Sequence, residues 1–363
     1  MDQKIVYLDD DGDTEVLRGK TIAIIGYGNQ GRSQALNLRD SGVKVIVGNI
    51  RDEYKKTAEK DGFEVFEISE ACTKADIMFL LLPDEILPEV YSKHIENTLI
   101  DGNTLCFASG YNVAFNLIQI PKTIDVIMIA PRMIGVGVRE TYLSGEGFYS
   151  FIAVEQDVTG NANDTVLALT KALGSLKKGG IWVTFKQEAQ LDLFNEQAFG
   201  PAFGRVLLTA ISTLINNGLP PEAVLIEMYM SGEMSYTYQK MAQIGLIKQT
   251  DFHSHTSQYG SMSRGARYLG IGKEMKRQMQ KTYEEIDSGS FAKEWRKPFS
   301  KLKFKIIKYF ATRQKINKWE KQVRKALKLI DYQTYEPPRN IEELLKKTEV
   351  KNELDILNQT FEF

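Results

Sequence analysis

Cysteine is nearly absent from the chain. Two cysteines in 363 residues, Cys72 and Cys106, exclude a disulfide framework and a thiolate zinc cluster. Both lie in apolar stretches that suit small buried hydrophobes, and a reducing, cytoplasmic compartment is expected. Net charge is also missing: the formal value is −1, so no overall field draws nucleic acid or an anionic membrane. No uninterrupted apolar run approaches the roughly 18 residues that a membrane span needs. Residues 1–18 are acidic and lack the apolar stretch of a signal peptide. Neither a membrane nor a nucleic-acid partner is expected. A locally basic stretch (Lys301, Lys303, Lys305, Lys308, Arg313, Lys315, Lys318) reads as a solvated helix face in preference to a polyanion site.

Hydrophobic residues make up 43% and charged residues 26% of the chain, the profile of a globular protein whose length suits two domains. Up to residue 184, short Ile- and Val-rich runs at 21–25, 44–48, 77–82, 104–108, 124–130, 149–154 and 181–184 show little alternation. Strands buried on both faces read this way. Helical patterns such as 30–40 and 84–96 lie between them, which implies a doubly wound, mostly parallel sheet with helices on both faces. Beyond residue 184 only helical patterns follow, at 188–217, 222–244, 273–288 and 301–329, with Pro221 placed at a helix start. The expected division is an α/β Rossmann domain over 1–184, an all-α domain over 185–330, and a tail over 331–363.

The run at 21–25 leads directly into Gly26-Tyr27-Gly28-Asn29-Gln30-Gly31, and a helix pattern follows. A strand, a Gly-x-Gly-x-x-Gly turn and a helix together form a dinucleotide cradle. The first glycine makes the turn, the second admits a pyrophosphate, and the third lets helix and strand pack. The pyrophosphate meets the positive end of the helix. The second strand ends before Asn49, Arg51 and Asp52, where an acid favours a free ribose hydroxyl and an arginine favours a 2′-phosphate. NADH and NADPH both remain open. Asp52 is equally suited to capping a helix. Leu82, Pro83 and Asp84 complete the expected cofactor-binding set.

The chain resembles the ketol-acid reductoisomerases, also called acetohydroxyacid isomeroreductases, over roughly residues 15–325. The likeness is carried by the glycine turn, residues 35–42, Leu81 to Glu85, Ala130-Pro131, residues 192–197, Tyr259-Gly260, Ser263 to Gly265 and residues 291–295. It implies a knotted helical domain, a homodimer with shared helical domains, NAD(P)H and Mg²⁺. The reaction it implies is an alkyl shift on a 2-hydroxy-3-keto acid followed by reduction of the 2-keto acid, a step of branched-chain amino acid synthesis.

Asp192 and Glu196 stand i, i+4 on a helix and share one face. Two like charges repel there, and a hard cation reverses the sign. Through the resemblance they become metal ligands, with Glu227 as a third. The acid that follows Glu227 in the family's second pair is Ser231 here, so one bound ion is expected rather than two. Where the family has His-Gly-Phe-Asn, this chain has Ser109 to Asn112. The family's lysine is Arg132, with Met133 and Ile134 after it and Val136 in place of a histidine. Ser254 keeps the family's substrate-contacting serine, flanked by His253 and His255, which read either as loop residues or as a replacement acid–base. The expected catalytic set is Arg132, Asp192, Glu196, Glu227, Ser254 and Ser109. The expected function is NAD(P)H-dependent reduction of a small 2-keto or ketol acid, or a similar imine, with the isomerase step eroded. The alternatives are a full ketol-acid reductoisomerase acting on 2-acetolactate and a nucleotide-binding protein without catalysis.

Overall fold

The computed structural model describes residues 4–329; the expected tail over 331–363 lies outside them. Among the described residues, 4–189 and 190–329 form two compact units.

The first unit is built on a nine-stranded sheet in the order β1-β9-β8-β7-β6-β5-β2-β3-β4. Its strands are β1 Val6–Tyr7, β2 Thr21–Ile25, β3 Lys44–Gly48, β4 Val65–Phe66, β5 Ile77–Leu80, β6 Thr104–Phe107, β7 Asp125–Pro131, β8 Tyr149–Gln156 and β9 Gly179–Trp182. All pairings are parallel except β7 with β8 and β1 with β9. The expected mostly parallel, doubly wound sheet is therefore present. Seven of its strands match the apolar runs of the sequence. The two-residue β1 and β4 escaped notice because they are too short to carry a period.

The absence of alternation has a direct cause. Ile22 and Ile24 of β2 face one hydrophobic cluster, together with Ile77 and Phe79 of β5. Ala23 and Ile25 face the other, together with Met78 and Leu80. Both faces of the sheet are thus covered, and every position in these strands favours an apolar side chain. The chain winds outward from β2 through β3 to β4, then returns to the other side of β2 as β5. The carboxyl ends of β2 and β5 therefore flank a topological switch point, where open α/β sheets bind ligands. The helices needed below are α1 (Asn29–Asp40), α2 (Glu53–Lys60) and α3 (Gly135–Leu143) in this unit, and α4 (Phe185–Phe194), whose residues 185–189 belong to this unit and 190–194 to the second.

The second unit is helical and includes α5 (Gly200–Asn216), α6 (Glu233–Ile244), α7 (Leu269–Asp287), α8 (Pro298–Ala311) and α9 (Lys315–Ala326). Its expected long helices are interrupted. Gly232 has φ +83° and separates the segment before α6 from α6 itself, and residues 312–314 separate α8 from α9. Wide π-type turns occur at Asn195–Phe199 and Ile226–Met230. One core cluster of this unit gathers the buried Ile211, Val224, Leu225 and Val323, and Ile286 and Ala292 are buried as well.

One sequence expectation needs correction. Residues 185–216 run as 32 residues of helix, long and apolar enough by length and composition to cross a membrane. A search for uninterrupted apolar runs missed it because Gly, Ala, Ser and Thr dilute the stretch while Arg205 is its single charge between residues 197 and 216.

Candidate active site

The glycine turn sits at the switch point as its spacing requires. Gly26 has φ +93°, a conformation open to glycine and strained for other residues. A Cβ at Gly31 would lie 2.0 Å from the Gly26 carbonyl oxygen, so the start of α1 presses on the turn. A Cβ at Gly28 would meet nothing within 4 Å, which leaves open space where a pyrophosphate approaches the backbone.

The turn is held from beneath. Tyr27 is buried; its hydroxyl donates to Asp61 Oδ2 at 3.0 Å and its N–H donates to Asn49 Oδ1 at 3.2 Å. Burial, reinforced by the charge of Asp61, pushes the Tyr27 hydroxyl well above its usual range. Arg32 completes the brace, with Nε donating to Asp61 Oδ2 at 2.7 Å and Nη2 to Oδ1 at 3.2 Å. Neither Arg32 nor Asp61 was singled out in the sequence, because Arg32 stands on an apolar helix face where nothing signals its partner.

Asn49 continues the brace outward. Its amide donates to Asp52 Oδ1 at 2.8 Å. The same carboxylate oxygen accepts the Lys55 N–H at 3.0 Å, so Asp52 caps α2. Arg51 is exposed and bonds Glu67 at 3.1 Å. Gln30 donates to the Met133 carbonyl at 2.9 Å, tying α1 to the segment before α3. Leu82 Cδ2 lies against the turn, 2.8 Å from a Cβ built on Gly26, and Asp84 Oδ1 accepts the Asn112 amide at 3.0 Å. Pro83 is exposed at the rim. All twelve expected cofactor residues thus lie in the segments that follow β2, β3 and β5.

A second cluster lies where β6 and β7 end. Arg132 donates from Nη2 to Glu188 Oε1 at 2.9 Å and stacks on Phe151 at 4.7 Å. Glu188 Oε2 accepts the Gly110 N–H at 2.6 Å. Ser109 Oγ accepts the Tyr111 N–H at 3.2 Å. A Cβ at Gly110 would lie 2.0 Å from the Phe185 carbonyl oxygen, so the Ser109 loop is clamped onto the first turn of α4. Sequence reasoning missed Glu188, yet a signal was present. Glu188, Asp192 and Glu196 form an acidic stripe at i, i+4, i+8, and only its last two members were taken up.

The remaining expected residues lie in the helical unit. Asp192 is half-buried at the end of α4, while Glu196 and Glu227 are exposed. Both glutamates sit in the two wide turns, a backbone form often found at functional positions. Ser231 Oγ accepts the Glu233 N–H at 3.3 Å. Ser254 caps the helix His255–Gly265 by accepting the Ser257 N–H at 3.2 Å. His253 Nε2 is 3.2 Å from Gln249 Oε1, and its carbonyl accepts the Gln258 amide at 2.8 Å. A cavity of about 480 Å³ in this unit is lined by Glu227, Glu233, His253, Gln249 and Gln258 among others. Among the described residues no three His, Cys, Asp or Glu side chains gather into a metal-binding group. The Asp192–Glu196 pair on its own suits Mg²⁺, which takes one or two carboxylates and keeps waters or substrate in its other positions.

A glycine cradle at the switch point of a doubly wound sheet, followed by an all-helical unit, defines a nicotinamide-dinucleotide oxidoreductase. Residues 16–179 match the family described as "Acetohydroxy acid isomeroreductase, NADPH-binding domain", and residues 185–329 match "Ketol-acid reductoisomerase, C-terminal domain". The chain belongs to the ketol-acid reductoisomerase family. It is 42% identical over 295 residues to a "Ketol-acid reductoisomerase (NADP(+))" of Methanopyrus kandleri, covering 80% of this chain and 87% of that one. The same identity and coverage hold for the enzyme of that name from Pyrococcus abyssi. A solved structure titled as an NADH-preferring ketol-acid reductoisomerase from an uncultured archaeon superimposes with a TM-score of 0.83 at 34% identity, covering 89% of this chain and 99% of that one.

Proposed function

We propose that this chain reduces a small 2-keto acid with a nicotinamide cofactor and that the alkyl shift is the weaker half of its chemistry. The observation that carries this is the Arg132–Glu188 pair beside the Ser109 loop. Reduction asks for a placed nicotinamide, a polarised carbonyl and a proton source. The hydride goes to the carbonyl carbon, and the oxygen takes a proton from solvent water. A fixed guanidinium stabilises the charge that develops on that oxygen, but it does not release a proton near neutral pH. The alkyl shift additionally asks for a base at the substrate hydroxyl, and Ser109 is a poor one.

Asp192 and Glu196 would hold Mg²⁺, which when bound polarises the substrate oxygens as a Lewis acid. Glu227 is proposed as a further metal ligand and Ser254 as a substrate contact, the roles that the family resemblance implies for them. A homodimer with shared, knotted helical domains is part of the same proposal. It is supported by large exposed apolar side chains in the helical unit, such as Tyr259 at 71% and Leu269 at 70% exposure, which monomers seldom present together. A cytoplasmic location is proposed as well.

The test follows cofactor absorbance with two substrates, 2-acetolactate and its already rearranged 2-keto-3-hydroxy isomer, with and without a chelator. The proposal expects the rearranged acid to be reduced at least about tenfold faster, a barrier difference of about 1.4 kcal/mol. Equal rates on both would establish the complete isomeroreductase as the correct reading. Cofactor binding without turnover on either would favour a non-catalytic nucleotide-binding protein.

A further inference from the structure

The helix that follows the glycine turn and the helix that follows Arg132 are locked together. A Cβ at Gly135, the first residue of α3, would lie 2.4 Å from the Asn29 carbonyl oxygen at the start of α1. Further along, Asn37 of α1 donates to the Val138 carbonyl at 3.3 Å and accepts from the Arg139 guanidinium at 2.9 Å. A second nitrogen of that guanidinium donates to Asp40 at the end of α1, and Arg139 is completely buried. Close-packed elements transmit displacement instead of absorbing it. A shift at the start of α1 is therefore passed to residues 132–135.

Gln30 carries the link to the strand-end segment itself. Its Nε2 donates to the Met133 carbonyl at 2.9 Å, one residue past Arg132. An amide side chain can turn end for end, and only one of its two orientations donates to a carbonyl. Gln34 selects that orientation: its Nε2 donates to Gln30 Oε1 at 3.1 Å, which leaves Gln30 Nε2 for Met133. Gln34 is completely buried, and its own Oε1 has no hydrogen-bond partner among the described residues. A buried carbonyl left unpaired lowers stability, and a leucine of comparable size would avoid that loss. Core packing thus does not account for Gln34, whereas orienting Gln30 does.

We propose that Gln34 and Gln30 are positioning residues that couple the dinucleotide seat to Arg132. A pyrophosphate at the glycine turn draws on the start of α1, and the chain from Gln34 through Gln30 to Met133 sets the backbone from which Arg132 reaches the keto acid. Gln34 acts through Gln30, and Gln30 through the Met133 carbonyl. The coupling is reciprocal, so a ligand at Arg132 tightens dinucleotide binding by the same factor. The proposal rests on the reading of Arg132 as the keto-acid contact.

The test uses two probes that cannot touch through a nicotinamide ring. ADP-ribose carries the pyrophosphate without the nicotinamide, and oxamate is an unreactive mimic of a small 2-keto acid. Calorimetry on the full chain, with Mg²⁺ present, measures oxamate binding with and without saturating ADP-ribose. ADP-ribose is expected to tighten oxamate binding about tenfold in the parent, and less than about twofold in Gln34→Leu. The variant should melt no lower than the parent and bind ADP-ribose alone equally well. Its kcat for keto-acid reduction should fall while the KM for the cofactor stays put. Gln34→Met, with a side chain of the same length, should behave alike. Oxamate binding that ignores ADP-ribose in the parent overturns the proposal, as does coupling that survives both substitutions. A lower melting temperature with coupling intact assigns Gln34 to the core and overturns it too. Oxamate that binds in neither state sinks the keto-acid reading of Arg132 along with the proposal, which separates that failure from a failure of the coupling alone.

Discussion

Glu188 and Gly110 are joined by a 2.6 Å hydrogen bond from the Gly110 N–H to a carboxylate that is fully buried. The other oxygen of that carboxylate takes the Arg132 guanidinium. One side chain of α4 thereby fixes both strand-end segments, the Ser109 loop after β6 and Arg132 after β7.

Replacing Glu188 by Gln removes the charge but keeps an acceptor for Gly110. The Arg132 side chain is 25% exposed, so solvent screens part of the loss. A destabilisation of about 2 kcal/mol is expected, below the ~3–5 kcal/mol typical when a fully buried pair is broken. Because Arg132 would lose its fixed position, kcat should fall more than KM rises. Chemical denaturation and initial rates on the same preparation check this, and a variant that melts like the parent with unchanged kcat refutes the clamp.

Two neighbouring glycines should respond in opposite ways. At Gly28 an added Cβ has no neighbour within 4 Å, so Gly28→Ala should leave the melting temperature within about a degree of the parent. The methyl group would instead enter the space a pyrophosphate needs, weakening dinucleotide binding about tenfold or more. At Gly31 the Cβ would lie 2.0 Å from the Gly26 oxygen, so Gly31→Ala should destabilise the whole unit by several kcal/mol. Thermal melts with and without cofactor separate the two outcomes. An unstable Gly28→Ala protein, or one that binds cofactor normally, contradicts the assignment.

The contrast between these positions shows what the sequence discloses. Strand and turn around Gly26 to Gly31 are legible because each residue type answers a local demand of geometry. The Asp192–Glu196 pair is legible because spacing on a helix is also local. The partners of Tyr27 and Arg132 are not, since Asp61 and Glu188 arrive through tertiary packing from 34 and 56 residues away. The wide turns at Glu196 and Glu227 were invisible as well, because no residue type signals a π-type turn as glycine signals a positive φ. The breaks at Gly232 and after α8 reflect the same difficulty: helical periodicity survives a short interruption.

Both cysteines should resist thiol reagents in the folded protein. Burial raises the Cys72 thiol from its ordinary value near 9 to about 11, and burial pushes Cys106 further in the same direction. Folding therefore favours the protonated thiols. The contribution of Cys72 to stability is complete below about pH 9 and is lost as pH rises to about 11. At pH 8 a disulfide reagent such as dithionitrobenzoate should modify both thiols in denaturant and neither in native buffer over an hour. Rapid labelling of the native protein would show that one of them is accessible.

Cofactor choice turns on Asp52. Its carboxylate caps α2 and accepts the Asn49 amide, which in turn holds the Tyr27 N–H of the glycine turn. A 2′-phosphate placed after β3 would meet this fixed negative charge, with Arg51 already engaged to Glu67. At a separation of about 6 Å in a partly solvated site, the repulsion is about 1–2 kcal/mol, a factor of roughly ten in affinity. NADH is therefore expected to show the lower KM. Asp52→Asn keeps a capping side chain and removes the charge, so it should lower the KM for NADPH about tenfold while leaving the KM for NADH and the melting temperature nearly unchanged. Equal effects on both cofactors would mean that Asp52 acts on the loop rather than on the ribose, and a parent enzyme already tighter for NADPH would mean that Arg51 leaves Glu67 to take the phosphate.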